Sequence, residues 1–315
     1  MTRPLVAAVQ LPEAAARAWL GGIANLDLRI IQADLSAPPG DVECLMVAPE
    51  AYGGPLVRPP SWPGPIRWVQ LLSTGLDGYP DWLFDGVTVT TMHGVNAVAV
   101  AEFAMGAILA EARRIPEVWE EGQAWPRNGS AGPSSAGLAG ATLGIVGFGA
   151  IGAAIARRAL AFDMEVQAIR ASDAPLPDGV RRAASLDDLF ATSDHVVLAL
   201  PSSASTVGLV DAALLAKAKP GLHFVNIARG DLVDERALRD ALDSGVVGRA
   251  TLDVLRQEPP PTDHPLLGHP RVRISPHVSA HTPGAINGMA ARVRCNIDAY
   301  RSGRPLEGVL SDKTS

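Results

Sequence analysis

A largely apolar stretch, Thr142–Val146, runs directly into glycines at positions 147, 149 and 152, and then into the alanine-rich segment AAIARRALAF. Few folds accept that order. A strand must enter a helix through a turn in which each glycine has a mechanical task. Gly147 permits the tight turn, Gly149 lets backbone approach a pyrophosphate, and Gly152 lets helix and strand pack closely. Ala150 and Ile151 complete the turn, where the helix N-terminus offers unpaired N–H groups and a positive dipole to phosphates. A further apolar run, Glu165–Ile169, follows at the distance a dinucleotide-binding βαβ unit requires.

The end of that second strand ordinarily carries an acidic residue for the adenine ribose hydroxyls. Here it carries Arg170, followed by Ala171 and Ser172. A guanidinium cannot accept a hydrogen bond from a 2′-hydroxyl, but it can pair with a 2′-phosphate. This favours NADP over NAD. The alternative leaves Arg170 in solvent and gives the ribose to Asp173.

The rest of the chain repeats the alternation of short apolar runs with helical patterns. Leu5–Val9, Leu26–Ile31, Cys44–Ala48, Trp68–Leu72 and Val87–Thr91 are expected strands before the glycine turn, with a helix at Pro12–Ala24. Beyond the turn the expected strands are His195–Leu200, His223–Ile227, Ala250–Val254 and Val272–Ser275. Helices are expected at Ile151–Ala161, Leu186–Thr192, Ala212–Lys217 and Glu235–Leu242, and from about Ala97 to Ile115. The last helix starts from Thr282 as N-cap with Pro283 at its first position, and runs to Arg301. Such alternation predicts an α/β protein with parallel sheets and crossover helices. The Gly-, Ser- and Pro-rich stretch from Pro116 to Ala139 is expected as a surface loop, with Trp125 as a possible anchor.

Composition narrows the function classes. The chain has 315 residues, enough for two domains, with 47% hydrophobic and 19% charged residues. Its net charge of −6 gives no electrostatic reason to expect a nucleic acid or an anionic membrane as partner. Two distant cysteines, Cys44 and Cys295, build neither a disulfide framework nor a thiolate metal site. The N-terminus makes a poor signal peptide, and the longest apolar run, Val95–Ala110, contains Asn96 and Glu102. A cytoplasmic location is the expectation.

Three later segments each place one ionisable group after an expected strand: FVNIARGDLVDE with Arg229, LDVLRQEPPP with Glu258, and RISPHVSAH with His277. Ligands of open parallel sheets sit at the carboxyl ends of strands. The trio suits hydride transfer to a 2-oxo acid. Arg229 offers a planar, permanently charged fork for a carboxylate. His277 can give a proton to a carbonyl oxygen as negative charge develops there, and Glu258 can orient that imidazole.

With these residues in place, the sequence resembles the D-isomer-specific 2-hydroxyacid dehydrogenase family. The resemblance covers most of the chain and is strongest from Leu143 to Val278, in LGIVGFGAIG, HVVLALP, FVNIARGDLVDE, LDVLRQEPPPTDHPL and SPHVSAHT. It implies that Arg229 binds substrate and that Glu258 and His277 form the acid/base pair. It also implies that Asp253 contacts the nicotinamide amide, that Ile227 and Ala228 line the nicotinamide site, and that Pro201 and Thr206 lie near the adenosine half. The implied fold is two Rossmann-like domains, a dinucleotide-binding doubly wound parallel sheet (95–283) inserted into a flavodoxin-like substrate domain (1–94 and 284–315). The segment VQLLSTGLDGY then matches the loop whose backbone N–H groups hold the substrate carboxylate, through Thr74, Gly75 and Leu76. A homodimer is implied as well. Two departures stand out: STGLDG lacks a second glycine found in many members, and the acidic cofactor residue is missing.

The expected activity is therefore an NAD(P)-dependent interconversion of a 2-oxo acid and a D-2-hydroxy acid, in the reductive direction and of glyoxylate or hydroxypyruvate reductase type. A phosphoglycerate dehydrogenase-like enzyme is an alternative. So is a dinucleotide-sensing binding protein or corepressor on the same scaffold. His277 and His281 stand four apart, but the flanking prolines and the lack of HExxH argue against a metal site. His93, His195, His223, His264 and His269 are expected to be structural or solvated. Glu102 is expected as a buried carboxylate with a structural partner.

Overall fold

The computed structural model describes residues 3–31, 40–49, 56–121 and 135–310. The chain divides into two compact units, Met1–Asn96 with Thr282–Ser315, and Ala97–His281. Both divisions fall at the start of a helix.

The first unit holds a parallel sheet of β1 (Leu5–Val9), β2 (Leu26–Ile30), β3 (Cys44–Val47), β4 (Trp68–Leu71) and β5 (Thr88–Thr90). Their order, β2-β1-β3-β4-β5, is that of flavodoxin-like folds. β1, β3 and β4 are buried at every position, as sheets covered on both faces require. Helix α1 spans Glu13–Leu20, shorter than expected. It stops because Gly21 takes an extended conformation and Gly22 a left-handed one, at φ +79°.

The second unit opens with α2 (Ala97–Ala112) and α3 (Ile115–Glu121). The single helix expected here is broken at Arg114, whose φ is +50°. Pro116 then sits in the first turn of α3, where a missing N–H leaves no bond unmade. The expected loop from Pro116 to Ala139 is thus helical at its start. Trp125 lies outside the described residues.

The glycine turn joins β6 (Thr142–Val146) to α4 (Ala150–Leu160). After it come β7 (Glu165–Ile169), β8 (Val180–Arg182), α5 (Leu186–Thr192) and β9 (His195–Leu198). The unit continues with α6 (Ala212–Leu215), β10 (Leu222–Asn226), α7 (Glu235–Ser244), β11 (Val247–Leu252) and β12 (Val272–Ile274). The sheet order is β12-β11-β10-β9-β6-β7-β8, and every pairing is parallel. The strand order reverses between β6 and β9, beside the glycine turn. This is the doubly wound arrangement, with its ligand crevice at the reversal.

Local chemistry sets the helix ends. Ser185 Oγ accepts from the Asp188 N–H at 3.0 Å, as its capping spacing predicts. Thr282 Oγ1 accepts from Ala285 N–H at 3.1 Å at the start of the last helix, α8 (Pro283–Arg301). Gly245 closes α7 at φ +82°.

α8 completes the first unit across a long stretch of sequence. Tyr300 stacks on the fully buried Trp68 of β4 at 5.5 Å. Asn296, also fully buried, donates to Gln70 Oε1 and to Glu307 O, both at 3.0 Å, and accepts from Glu307 N–H at 2.8 Å. Gln70 in turn accepts from the Thr90 hydroxyl, which accepts from Trp68 Nε1–H. Buried amides are tolerable here because each finds its partners.

One expectation is corrected on the surface of α2. Glu102 is 60% exposed rather than buried, and it pairs with Arg158 of α4 at 3.2 Å. The apolar residues around it suggested burial, but its own position faces outward.

Candidate active site

Arg229, Glu258 and His277 follow β10, β11 and β12, which are adjacent in the second sheet. All three therefore belong to segments that leave neighbouring strands at their carboxyl ends.

His277 Nδ1 lies 2.8 Å from Glu258 Oε2. The other carboxylate oxygen, Oε1, accepts from Leu255 N–H at 2.9 Å, so the carboxylate is fixed before it meets the ring. Both side chains keep access to solvent, at 40% and 37% exposure. With Nδ1–H directed at Glu258, Nε2 is the nitrogen left to face a reactant.

His277 adopts φ +54°, unusual for a residue with a side chain. Its backbone N–H donates to Asp253 O at 2.9 Å and Ser275 O at 3.0 Å. The conformation is held by Asp253, which is almost fully buried. Asp253 Oδ1 accepts from Ser275 Oγ at 2.6 Å and Val278 N–H at 2.9 Å, and Oδ2 accepts from Ser279 N–H at 2.9 Å. The family resemblance implies a cofactor contact for Asp253. Within the protein, its carboxylate ties down the loop that presents the imidazole.

Arg229 is shaped by a second buried polar residue the sequence reading passed over, Asn226. The Asn226 side chain donates to Arg229 O at 2.8 Å and accepts from Ala228 N–H at 3.0 Å. This bends the chain as it leaves β10 and sets Ile227 and Ala228, both buried, at the strand end. Arg229 Nη1 donates to Ala228 O at 2.7 Å. The next residue, Gly230, packs against the Leu255–Arg256 peptide so tightly that a side chain would overlap it. Absence of a Cβ there lets the Arg229 and Glu258 segments run together.

The glycine turn between β6 and α4 is crowded on one side only. Gly147 has φ +94°, and a Cβ on it would meet Ala199 O at 2.5 Å. A Cβ on Gly152 would meet Gly147 O at 2.5 Å. A Cβ on Gly149, by contrast, would meet nothing within 4 Å. The turn is thus closed on the protein side and open on the other. Gly149 is the N-cap of α4 and no side chain caps that helix, so Ala150 and Ile151 begin it with unclaimed N–H groups. These residues suit a dinucleotide pyrophosphate.

Pro201 and Thr206 belong to the connection after β9. Thr206 Oγ1 accepts from Ser203 N–H at 2.8 Å and lies 3.1 Å from Pro201 O, folding that connection on itself. Ser202 donates to Asp231 Oδ2 at 2.6 Å, while Asp231 Oδ1 is buried with no partner among the described residues. Arg170 leaves the end of β7, and Ser172 is exposed beyond it.

Thr74, Gly75 and Leu76 follow β4 in the first unit and are partly exposed. Ser73 Oγ donates to Gly75 O at 2.7 Å and meets the Tyr79 hydroxyl at 3.0 Å. Burial raises the Tyr79 phenol well above its usual range, so it stays a neutral brace. Thr74 Oγ1 lies 3.3 Å from Met92 O and 3.4 Å from Asn96 Oδ1. No cluster of three or more His, Cys, Asp or Glu side chains arranged to hold a metal is found among the described residues.

Residues 105–279 match the profile of a family described as D-isomer specific 2-hydroxyacid dehydrogenase, NAD binding domain. A glyoxylate reductase of Thermococcus kodakarensis is 38% identical over 226 residues, covering 69% of this chain and 68% of that protein. A D-3-phosphoglycerate dehydrogenase of Archaeoglobus fulgidus is 34% identical over 232 residues. That match takes in 72% of this chain but only 43% of the relative's length. Among solved structures, a D-isomer specific 2-hydroxyacid dehydrogenase from Xanthobacter autotrophicus in complex with NADPH and MES superposes with a TM-score of 0.78. It is 28% identical, and the alignment covers 98% of each chain.

Proposed function

The chain belongs to the D-isomer-specific 2-hydroxyacid dehydrogenase family, and on that footing we propose that it interconverts a 2-oxo acid and a D-2-hydroxy acid with a nicotinamide dinucleotide, as a reductase of glyoxylate or hydroxypyruvate type. The observation that carries this reading is the 2.8 Å pairing of His277 Nδ1 with Glu258, presented at the carboxyl ends of the same sheet whose strand β10 leads into Arg229.

Each residue has a task that its surroundings suit. The Arg229 guanidinium pairs with the substrate carboxylate through two N–H groups. His277 Nε2–H donates to the carbonyl oxygen and transfers its proton as that oxygen becomes anionic. Glu258 keeps Nδ1 protonated toward itself and fixes the ring plane. Backbone N–H groups of the Thr74–Leu76 loop are proposed to donate to a substrate carboxylate, as the family resemblance implies. The nicotinamide, when bound, supplies the hydride in reduction and receives it in oxidation. Ile227, Ala228 and Asp253 line its place, while Gly147, Gly149, Ala150, Ile151 and Gly152 take the pyrophosphate, and Pro201 and Thr206 flank the adenosine half.

NADP is the preferred cofactor in this proposal, with NAD the weaker alternative. Arg170 supports it: no carboxylate occupies its position at the end of β7, and it donates to no group among the described residues. A glyoxylate/hydroxypyruvate-type substrate is favoured by the glyoxylate reductase relative, of which the chain spans 68%. The functional particle is proposed as a cytoplasmic homodimer, after the family. No helix among the described residues is long and apolar enough to cross a membrane.

The test is a spectrophotometric screen of 2-oxo acids with NADPH and NADH in parallel, on wild type and His277→Ala. Consumption of NADPH is expected with a small 2-oxo acid, falling by roughly a hundred- to ten-thousandfold in the variant while nucleotide binding persists. NADPH binding without turnover on any 2-oxo acid would make the protein a dinucleotide sensor. A His277→Ala enzyme at wild-type rate would overturn the acid/base assignment.

A further inference from the structure

β8, which no apolar pattern announces in the sequence, pairs with β7, the strand that leads into Arg170. That strand is only three residues long and lies at the edge of the second sheet. Its register sets Arg182 opposite Ala168 of β7, two residues before the chain leaves that strand at Arg170. Arg182 reaches toward the connection that follows. Its Nη2 donates to Ala174 O at 2.8 Å, and its Nη1 lies 3.5 Å from Ser172 O.

Those partners are carbonyl oxygens, which take up N–H groups without neutralising the charge. Arg182 pairs with no carboxylate among the described residues. Its neighbour Arg181 differs: it donates to the buried Gln167 and approaches Asp188 at 4.0 Å. Asp173 and Asp178 lie in the same connection, yet neither pairs with Arg170 or Arg182. Arg182 thus sets its guanidinium on the short turn that follows Arg170, and neither arginine has a charge partner among the described residues, where a bare loop anchor would need only one neutral donor.

We propose that Arg182 is the second cation of a 2′-phosphate clamp, gripping the phosphate opposite Arg170 and shaping the Ser172–Ala174 turn so that the Ser172 hydroxyl can donate to the same group. This rests on the NADP reading above and assigns it a residue from a different strand. A guanidinium with two N–H groups on carbonyls keeps others for phosphate oxygens, the geometry that favours arginine at such sites.

The test measures binding without catalysis. Adenosine 2′,5′-bisphosphate and 5′-AMP, which differ only in the 2′-phosphate, are titrated calorimetrically into the full chain, as wild type and as Arg170→Gln, Arg182→Gln and Arg182→Lys. Wild type is expected to prefer the bisphosphate strongly. Arg182→Gln should weaken the bisphosphate roughly ten- to a hundredfold and leave 5′-AMP unchanged. Arg182→Lys, which keeps the charge, should recover part of that loss. If Arg182→Gln weakens both nucleotides alike, the residue only anchors its turn and the proposal fails. If wild type discriminates and Arg182→Gln discriminates equally well, the clamp assignment alone is overturned. If wild type does not discriminate, the NADP reading falls and the clamp with it.

Discussion

Gly230 lies against Leu255 with no room for a methyl group between them. The contact joins the segment that carries Arg229 to the segment that carries Glu258. Gly230→Ala must push the Leu255–Arg256 peptide away, and Leu255 N–H is the group that holds Glu258 Oε1. The turnover number is expected to fall by roughly a hundredfold, since displacements of about 1 Å in a reacting constellation cost that much. Binding of 5′-AMP should not change. Steady-state kinetics beside calorimetry separates the two, and an unaltered turnover number would show that the peptide yields without moving the carboxylate.

The two glycines of the phosphate turn should fail differently. Gly147→Ala combines a left-handed φ with a collision against Ala199, so the folded state itself suffers, by about 1–3 kcal/mol. Gly149→Ala meets no protein atom within 4 Å and should leave the unfolding midpoint within experimental error. Its methyl group instead enters the space proposed for the pyrophosphate, and NADPH affinity should drop at least tenfold. Equal stability loss in both variants would remove the distinction.

Asn296→Ala removes one of the two donors to the buried Gln70 Oε1, leaving the Thr90 hydroxyl, and takes the side-chain partner from both backbone groups of Glu307; the amide that is lost is itself fully buried. Unsatisfied buried polar groups make this expensive, about 2–4 kcal/mol. Urea unfolding should register the loss in the midpoint. A change under 1 kcal/mol would mean that water replaces the amide.

Acid should weaken the second unit through His195 and His223, which face each other across β9 and β10 with Nδ1 atoms 3.1 Å apart. Burial depresses His195 to about 4, with Asp194 opposing and Lys219 assisting. Burial also depresses His223 to about 3, assisted by His195 and Arg249. Because the unfolded imidazoles titrate near 6.5, the unfolded chain binds more protons below that pH. Stability is then complete above about 6.5 and declines as pH falls toward 4 and 3, by up to about 1.4 kcal/mol per pH unit for each ring. Unfolding free energies at pH 7.5, 6 and 5 should show that slope, and replacing both histidines by glutamine should flatten it. An unchanged slope would assign acid sensitivity elsewhere.

Much of the architecture was legible because apolar runs of strand length are bounded by glycines and helix caps. Leu5–Val9, Thr142–Val146, Glu165–Ile169 and Leu186–Thr192 have the limits their patterns suggest. Errors cluster where one residue's backbone decides. Arg114 breaks a helix from a left-handed conformation that no propensity favours, and Gly21 ends another before its apolar spacing runs out. β8 escaped notice because three residues, two of them arginine, carry no apolar period; only Gly179 before them hinted at a new element. Glu258 and His277 could be found from their motifs, and they meet at hydrogen-bond distance. The braces around them could not. Asp253, Asn226 and Gly230 act through backbone groups, and a sequence shows a buried polar residue without showing which N–H it accepts from. A polar residue at the end of an apolar strand was the available signal for Asn226 and Asp253.

The amide contact between Gln70 and Asn296 closes over 226 positions of chain. During synthesis, Gln70 leaves the ribosome long before its partner exists, and the whole of Ala97–His281 is made in the interval. That middle segment has all its strands at hand and can reach its native state first. The flanking unit has all five strands but has to keep one apolar sheet face in solution until α8 arrives to cover it, which makes the newborn N-terminal part the stage at which a folding helper or an aggregate would claim this protein.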